Sequence, residues 1–176
     1  MSLNLEEYRA LVEQLMRDAK RGAHDGDRVF PNEGVATARI VIDTMLDNAE
    51  NHVDAYAGKF SRDVYDSDRI KRFLQRVPDG TVCALVDSPS ALHDEGSALA
   101  DLHEFIKSGR IELYETAPQY RGSHVCVVDS SYVRVEQDQT HRKARVSFSK
   151  DSALTPKAIA LFALIRGQAH RRLFAS

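Results

Sequence analysis

The sequence predicts an α/β fold in which a mixed β-sheet of about six strands carries helices on both faces. Three observations lead to this prediction. Amphipathic segments with helical spacing alternate with short apolar runs along the first two thirds of the chain. The last third holds three strand-like segments separated by short polar turns, which is typical of antiparallel pairing. A final apolar helix closes the chain, and such an order indicates a sheet between two helical layers.

The first element is an amphipathic helix from Asn4 to Arg21, because Asn4 and Glu7 have the spacing of a capping box. Gly22 ends it, and the polar stretch that follows predicts a loop as far as Pro31. We therefore expect a helical arm and loop over residues 1–31 and an α/β domain over residues 32–176. The arm could pack elsewhere and bind a protein partner.

The remaining elements follow from apolar spacing and from turn residues. Helices are expected after Asn32, from Ser67, through Leu99 to Ile106, and from Thr155-Pro156 onward, where proline suits a first helical position. Strands are expected at 52–57, 81–86, 111–114, 124–128, 132–136 and 144–148.

Composition bounds the class of protein. The chain has 176 residues, of which 43% are hydrophobic and 28% charged, which excludes a disordered tail protein, a collagen-like repeat and a disulfide scaffold. The net charge of −2 does not indicate a class of binding partner, but the charged residues are unevenly distributed along the chain. Residues 140–176 carry eight basic side chains and one acidic, a net +7, leaving −9 for residues 1–139. This asymmetry suits a basic patch for a phosphate backbone, or charges balanced internally or across a dimer.

Cysteine use and hydropathy predict a cytoplasmic protein that does not enter the membrane. Cys83 and Cys126 are each flanked by apolar residues, which indicates reduced, buried thiols. No apolar run approaches the length of a membrane span, and the first residues lack a signal-peptide pattern.

The order of elements from residue 38 to residue 169 resembles one half of the phospholipase D superfamily. The signature of active members is His-x-Lys, four further residues and Asp, and the comparable segment here is Gly-Ser-His-Val-Cys-Val-Val-Asp at 122–129. The resemblance implies a phospholipase D-like fold with an extra N-terminal helix. It also implies a homodimer, because active members bring two such halves together.

The segment departs from that signature in either register. Aligned on Asp129, the nucleophilic histidine position holds Gly122 and the lysine position holds His124. Aligned on His124, the lysine position holds Cys126 and the aspartate position holds Ser131. The family's histidine forms a phosphoryl intermediate and its lysine stabilises the negative charge, so the departure implies an inactive enzyme.

Candidate site residues lie at strand ends. His124 and Asp129 flank one strand and are the catalytic candidates, with His124 able to bind a phosphate or to act as a base, or simply to form a sheet-edge hydrogen bond. Anion-binding candidates are side chains that can donate to a phosphate, although lysines in loops are commonly solvated and strand-end serines commonly cap turns. They are Lys59, Ser61, Ser147, Ser149, Arg142 and Lys143.

Three functions remain open at this point. The first is a non-catalytic phospholipase D-like domain that binds an anion, a phosphodiester or a nucleic acid, or that regulates a partner. The second is a divergent, metal-independent phosphodiesterase or nuclease that uses His124 across a homodimer. The third is a structural subunit that binds another protein. We expect no metal site and no cofactor, because neither a recognised ligand spacing nor a nucleotide-binding glycine loop is present.

Overall fold

A computed structural model describes residues 4–23, 28–138 and 143–171 of the protein. They form one eight-stranded mixed sheet in the order β1-β7-β6-β5-β2-β3-β4-β8. Strands β2, β3 and β4 run parallel to one another, and every other neighbouring pair is antiparallel. The strands are β1 (Val29–Glu33), β2 (His52–Tyr56), β3 (Thr81–Val86), β4 (Ile111–Glu115), β5 (Val125–Val128), β6 (Tyr132–Asp138), β7 (Lys143–Ser147) and β8 (His170–Arg171).

Five α-helices accompany the sheet in the described ranges, with single 3₁₀ turns at Pro89–Leu92, Ala98–Asp101 and Pro118–Tyr120. They are α1 (Leu5–Lys20), α2 (Val35–Asp47), α3 (Ser67–Arg76), α4 (His103–Lys107) and α5 (Leu154–Gly167). The predicted capping box of α1 is present, because Asn4 Oδ1 accepts from the Glu7 N–H and Glu7 Oε2 accepts from the Asn4 N–H, each at 2.9 Å.

The alternation of side chains along each strand divides the core into two layers. In β3, Val82, Ala84 and Val86 face the layer that includes α1, α2 and α3, whereas Cys83 and Leu85 face the layer under α5. Both faces of β3 are therefore buried, which is why Thr81–Val86 is a nearly continuous apolar run. The predicted α/β fold with helices on both faces is confirmed.

The structure corrects two elements. Residues 29–33, predicted to end a loop, form edge strand β1 against β7, and Pro31 is tolerated because it lies at an edge. Together with β8, this strand raises the sheet from the expected six strands to eight. The single helix expected through Leu99 and Ile106 is instead a 3₁₀ turn at Ala98–Asp101 followed by the short α4.

Helix α1 packs against α2. It buries Val12, Leu15 and Met16 in the same core as α2 and α3. The boundary expected after residue 31 falls inside β1. A separate arm over residues 1–31 stays a prediction.

Candidate functional site

Polar side chains gather at the edge of the sheet where the parallel strands end. Tyr56 is the last residue of β2, and Asp87 directly follows β3. The antiparallel β5 begins at this edge, immediately after His124, and Glu136 lies near the end of β6. Ligand sites of α/β sheets commonly lie outside the carboxyl ends of the strands, so this edge is the natural candidate.

His124 faces a buried carboxylate. Its Nδ1 lies 3.8 Å from Glu136 Oε2, with 22% of the histidine side chain and 3% of the glutamate side chain exposed. The Glu136 N–H donates to the His124 carbonyl at 3.0 Å, and the imidazole packs edge-on against the Tyr56 ring at 5.7 Å. With Nδ1 turned to Glu136, Nε2 faces Gly58, where an added Cβ would lie 3.2 Å from it.

Glu136 belongs to a network that reaches the N-terminal helix. Arg134 lies 3.3 Å from Glu136 Oε2 and donates to Asn32 Oδ1 at 2.8 Å. The Asn32 amide donates in turn to the Tyr8 hydroxyl of α1 at 3.1 Å. Burial raises the pKa of Glu136, but the hydrogen bond from His124 and the charge of Arg134 outweigh it, so the pKa is lowered. Glu136 is therefore a carboxylate at neutral pH.

One oxygen of that carboxylate has no partner. Glu136 Oε1 is buried and accepts no hydrogen bond in the described part of the chain. Glu136 lines a cavity of about 30 Å³ between α2 and the sheet, together with Ser61, Tyr65, His124 and Arg134. This volume holds one water molecule or one polar group of a ligand.

The second half of the site is built on Tyr56. Its hydroxyl donates to Asp87 Oδ1 at 2.6 Å and accepts from the Gly122 N–H at 3.1 Å. Burial, followed by the hydrogen bond to Asp87, raises the pKa of Tyr56 far above its ordinary value, so the phenol stays protonated. An added Cβ on Gly58 would lie 3.0 Å from Asp87 Oδ2, so Asp87 and His124 converge on this glycine.

Two exposed cations flank this edge. Lys59 follows Gly58 in the loop after β2, and Arg121 precedes Gly122. Arg121 Nη2 donates to the Asp87 carbonyl at 3.3 Å. Neither cation forms an ion pair with a carboxylate in the described ranges. The edge thus combines two exposed positive charges with an oriented imidazole.

Asp129 lies at the opposite end of β5 from His124. Its carboxylate accepts the backbone N–H groups of Glu50, Asn51 and His52 at 2.7, 2.8 and 2.9 Å. Because β5 separates them, Asp129 cannot orient His124, and the carboxylate that faces the imidazole is Glu136. In this structure Asp129 holds the turn that enters β2.

The predicted anion-binding residues divide between the two ends. Ser61 lines the cavity beside His124. Ser147 is fully buried next to Val133, and its Oγ accepts from the Ser149 N–H, so both serines lie towards the Asp129 end. Lys143 is exposed at the start of β7, 3.9 Å from Glu33. Arg142 lies outside the described residues.

Sequence reasoning missed Tyr56, Asp87, Arg134 and Glu136. The last two alternate with Val133 and Val135, a pattern that is typical of a strand with one solvated face. Their opposite charges two residues apart on one face were the available signal. In the structure both side chains are buried and face the layer that holds α1 and α2.

No protein-family model matches the chain, and no curated protein matches it in sequence. Solved structures do match its fold. Nuc from Salmonella typhimurium, a phospholipase D family member, matches with a TM-score of 0.59 and 15% identity over 84% of this chain and 99% of that one. The chain has a phospholipase D-like fold.

Two further structures extend this result. NucT from Helicobacter pylori matches with a TM-score of 0.60 and 11% identity over 82% of this chain and all of that one. TrmBL2, an archaeal chromatin protein with a novel mode of DNA binding, matches with a TM-score of 0.65 and 16% identity over 93% of this chain. The chain spans 62% of the length of TrmBL2. At these identities the fold alone is what is shared.

Two searches of the described residues complete the site. None of the helices there is long and apolar enough to cross a membrane. No three His, Cys, Asp or Glu side chains within the described ranges converge in a way that could hold a metal ion.

Proposed function

We propose that this phospholipase D-like domain binds a phosphodiester of a nucleic acid at the His124 edge without hydrolysing it, as a binding or regulatory module. The observation that carries the proposal is the pairing of an oriented imidazole with two exposed cations. His124 Nε2 faces Gly58, and the exposed Lys59 and Arg121 directly adjoin Gly58 and Gly122 in the chain. Phosphate oxygens are recognised by such groups, and the cations add salt-dependent attraction.

Two carboxylates lie close to His124, and they differ in how their charge is balanced. Arg134 compensates the charge of Glu136 at 3.3 Å, whereas Asp87 accepts a hydrogen bond from the neutral Tyr56 hydroxyl at 2.6 Å. The two cations Lys59 and Arg121 therefore outnumber the one carboxylate, that of Asp87, whose charge is not compensated inside the site. The known proteins of similar fold support the choice of ligand, since one is a DNA-binding protein.

The absence of hydrolysis rests on Gly122. In the register set by Asp129, this glycine stands where the superfamily has its nucleophilic histidine, and it has no side chain to attack phosphorus. Its N–H donates to the Tyr56 hydroxyl at 3.1 Å. At this edge His124 is then left to bind the phosphate.

A second candidate function has its own observation. Glu136 faces Nδ1 of His124, and a carboxylate in that position orients an imidazole whose other nitrogen acts on a substrate. A phosphodiesterase or nuclease built on His124 would then use this pair, with a second copy supplying the complementary groups. We keep this candidate as the alternative that the experiment must separate.

The experiment compares His124→Ala with His52→Ala. His52 is also a partly exposed histidine at the start of a strand, but it lies at the far end of β2, which makes it a matched control. Binding of a labelled single-stranded oligonucleotide is measured by fluorescence anisotropy, and cleavage of the same oligonucleotide is measured with and without EDTA.

We expect wild type and His52→Ala to bind equally, His124→Ala to bind about tenfold more weakly, and no protein to cleave. Loss of one charge-assisted hydrogen bond of about 1.4 kcal/mol corresponds to that factor. Cleavage that persists in EDTA and disappears in His124→Ala would establish the second candidate. An oligonucleotide that binds none of the proteins would overturn the proposal.

The same proposal includes a homodimer formed through α5. This helix is apolar around most of its circumference, and Leu164 and Ile159 remain 52% and 37% exposed. A helix of this kind is usually covered on more than one side, and two copies can cover each other through a twofold axis. Leu164→Glu should convert a dimer to a monomer in sedimentation, whereas Leu11→Glu, at a similarly exposed leucine of α1, should not. A wild-type monomer would overturn the dimer.

We also propose that the domain is cytoplasmic. Cys83 and Cys126 are buried free thiols, which suit a reducing compartment. Fractionation of cells that express a tagged full-length chain would test this, and recovery outside the cytoplasm would overturn it.

A further inference from the structure

A second, larger cleft lies beside the His124 cavity, between the first turns of α1, the first turns of α2 and the loop after β2. Its volume is about 690 Å³, within the range of small-molecule sites. Two of the large apolar side chains that stay exposed in the described chain meet here, Leu5 at 52% and Val35 at 38%. Ile40 is buried at the floor of the cleft.

Three arginines complete the lining, and two of them are held rigidly. The Arg39 guanidinium donates to Asp43, to Asp66 and to the Arg62 carbonyl at distances of 2.7 to 3.1 Å. The Arg62 guanidinium is bound to both oxygens of Asp101 and to the Glu95 carbonyl. These in-plane bonds fix each group, while 31% and 41% of the two side chains stay exposed.

The third arginine adds charge. Arg9 is exposed on α1 and lines the cleft, whose border also carries the carboxylates of Glu6 and Asp63. Because Asp43, Asp66 and Asp101 already compensate the charges of Arg39 and Arg62, the cleft has no excess of positive charge. It offers an apolar floor and two fixed guanidinium groups.

The two cavities are adjacent. Val35 lines both of them. Ser61 lines the small cavity, and the next residue, Arg62, lines the large one. The cleft therefore lies next to the cavity that His124 lines.

We infer that this cleft is a base-binding subsite for a single-stranded nucleic acid whose phosphate lies at the His124 edge. Guanidinium planes and apolar side chains stack on the face of a nucleobase, and each stacked base contributes about 1–3 kcal/mol. In a duplex both faces of a base are covered by its neighbours, so the cleft selects a single strand. The inference rests on the proposed function and adds the base to it.

The test separates base binding from phosphate binding by using two probes. One is a short labelled oligothymidylate, and the other is the same backbone with abasic residues throughout. The variant Leu5→Asn removes apolar contact from the cleft without changing charge, and Leu11→Asn is the control at an exposed leucine of α1 outside it. Arg9→Ala is a second variant of the cleft. Equal unfolding midpoints in urea verify that each variant is folded.

Wild type and Leu11→Asn should bind the base-bearing probe about tenfold more tightly than the abasic probe, as one stacked base predicts. Leu5→Asn should bring this ratio towards one while leaving the affinity for the abasic probe unchanged. A wild-type ratio of one, or a ratio that Leu5→Asn leaves intact, would overturn the inference and leave phosphate binding standing. Failure of wild type to bind either probe would overturn both proposals.

Discussion

The polar groups at the two ends of strand β5 differ in how completely their hydrogen bonds are satisfied. At its carboxyl end, Asp129 accepts three backbone N–H groups and completes the turn into β2. At its amino end, His124 faces Glu136, whose Oε1 is buried beside a small cavity and accepts no hydrogen bond from the residues that the structure describes. The first end is saturated with internal hydrogen bonds, and the second is left with an acceptor to offer.

We expect this difference to separate stability from ligand binding along a single strand. A buried acceptor without a partner costs free energy, and the cavity beside Glu136 Oε1 has room for one water molecule, which can donate to it. A carboxylate that accepts three N–H groups contributes to the fold and has little left for a ligand. Mutations at the Asp129 end should therefore act on unfolding, and mutations at the His124 end should act on binding.

Asp129→Ala should give the largest loss of stability. If it also weakened ligand binding, the two ends of β5 would not have the separate roles assigned to them. The change leaves three N–H groups without their acceptor and places alanine at a φ of +52°, so we expect a loss of about 3 kcal/mol in the free energy of unfolding. Urea unfolding measures this loss. Oligonucleotide affinity of the folded fraction should equal that of wild type.

Asp129→Asn provides the control for that loss. Asparagine tolerates a positive φ and keeps one acceptor oxygen, so the variant should lose about half as much stability. Equal losses of stability in Asp129→Asn and Asp129→Ala would mean that the charge of the carboxylate, rather than the backbone conformation, determines the stability at this position. A variant as stable as wild type would contradict the role assigned to this end.

The fold was largely predictable from the sequence, because buried faces of helices and strands have characteristic spacings of apolar residues. The run from Thr81 to Val86 predicts β3 with its correct bounds, since a strand that is covered on both faces has no polar alternation. The edge strand β1 was missed for the opposite reason. Its sequence, Val-Phe-Pro-Asn-Glu, holds a proline and two polar residues that only an edge position permits.

The site was less predictable because strand direction decides which edge a residue reaches. His124 and Ser147 both lie near strand ends, but β5 and β7 run in the same direction, so the start of one and the end of the other lie at opposite edges. Glu136 was missed because it alternates with valines, and this pattern predicts that its side chain lies on a solvated face of the strand. Its burial depends on helices that are distant in sequence.

Gly58→Ala should give an intermediate effect and sharpen the comparison at the His124 end. The added Cβ would lie 3.0 Å from Asp87 Oδ2 and 3.2 Å from His124 Nε2, at a φ of +60°. We expect a loss of about 1 kcal/mol in stability from the backbone conformation and about tenfold weaker oligonucleotide binding. Anisotropy and urea unfolding measure the two effects.

Gly109→Ala is the matched control for that substitution. Its φ is +76°, so alanine there meets the same conformational strain, but no atom lies within 4 Å of the added Cβ. The stability loss should be similar and the affinity unchanged. If both variants lost affinity equally, the effect would come from the global fold, and the crowding at His124 would not explain it.

The smallest effect should come from the titration of Glu136. Because its pKa is lowered in the folded state, the unfolded chain binds more protons in the acid range, and stability rises with pH there. The contribution is complete above the ordinary pKa of a glutamate, about 4.3, and is lost as the pH falls through the lower folded value. The groups responsible are His124 and Arg134, which face the carboxylate from β5 and from β6 itself.

Comparison of wild type with Glu136→Gln isolates this contribution, since glutamine has the same shape and does not titrate. The variant should be less stable than wild type near neutral pH, and the difference in urea unfolding should shrink as the pH falls below about 4.3. A difference that grows in acid would mean that burial outweighs the two cations and that the folded-state pKa is raised. In that case Glu136 would be protonated more easily than an ordinary glutamate, and the comparison would need a neutral acid at the His124 end of β5.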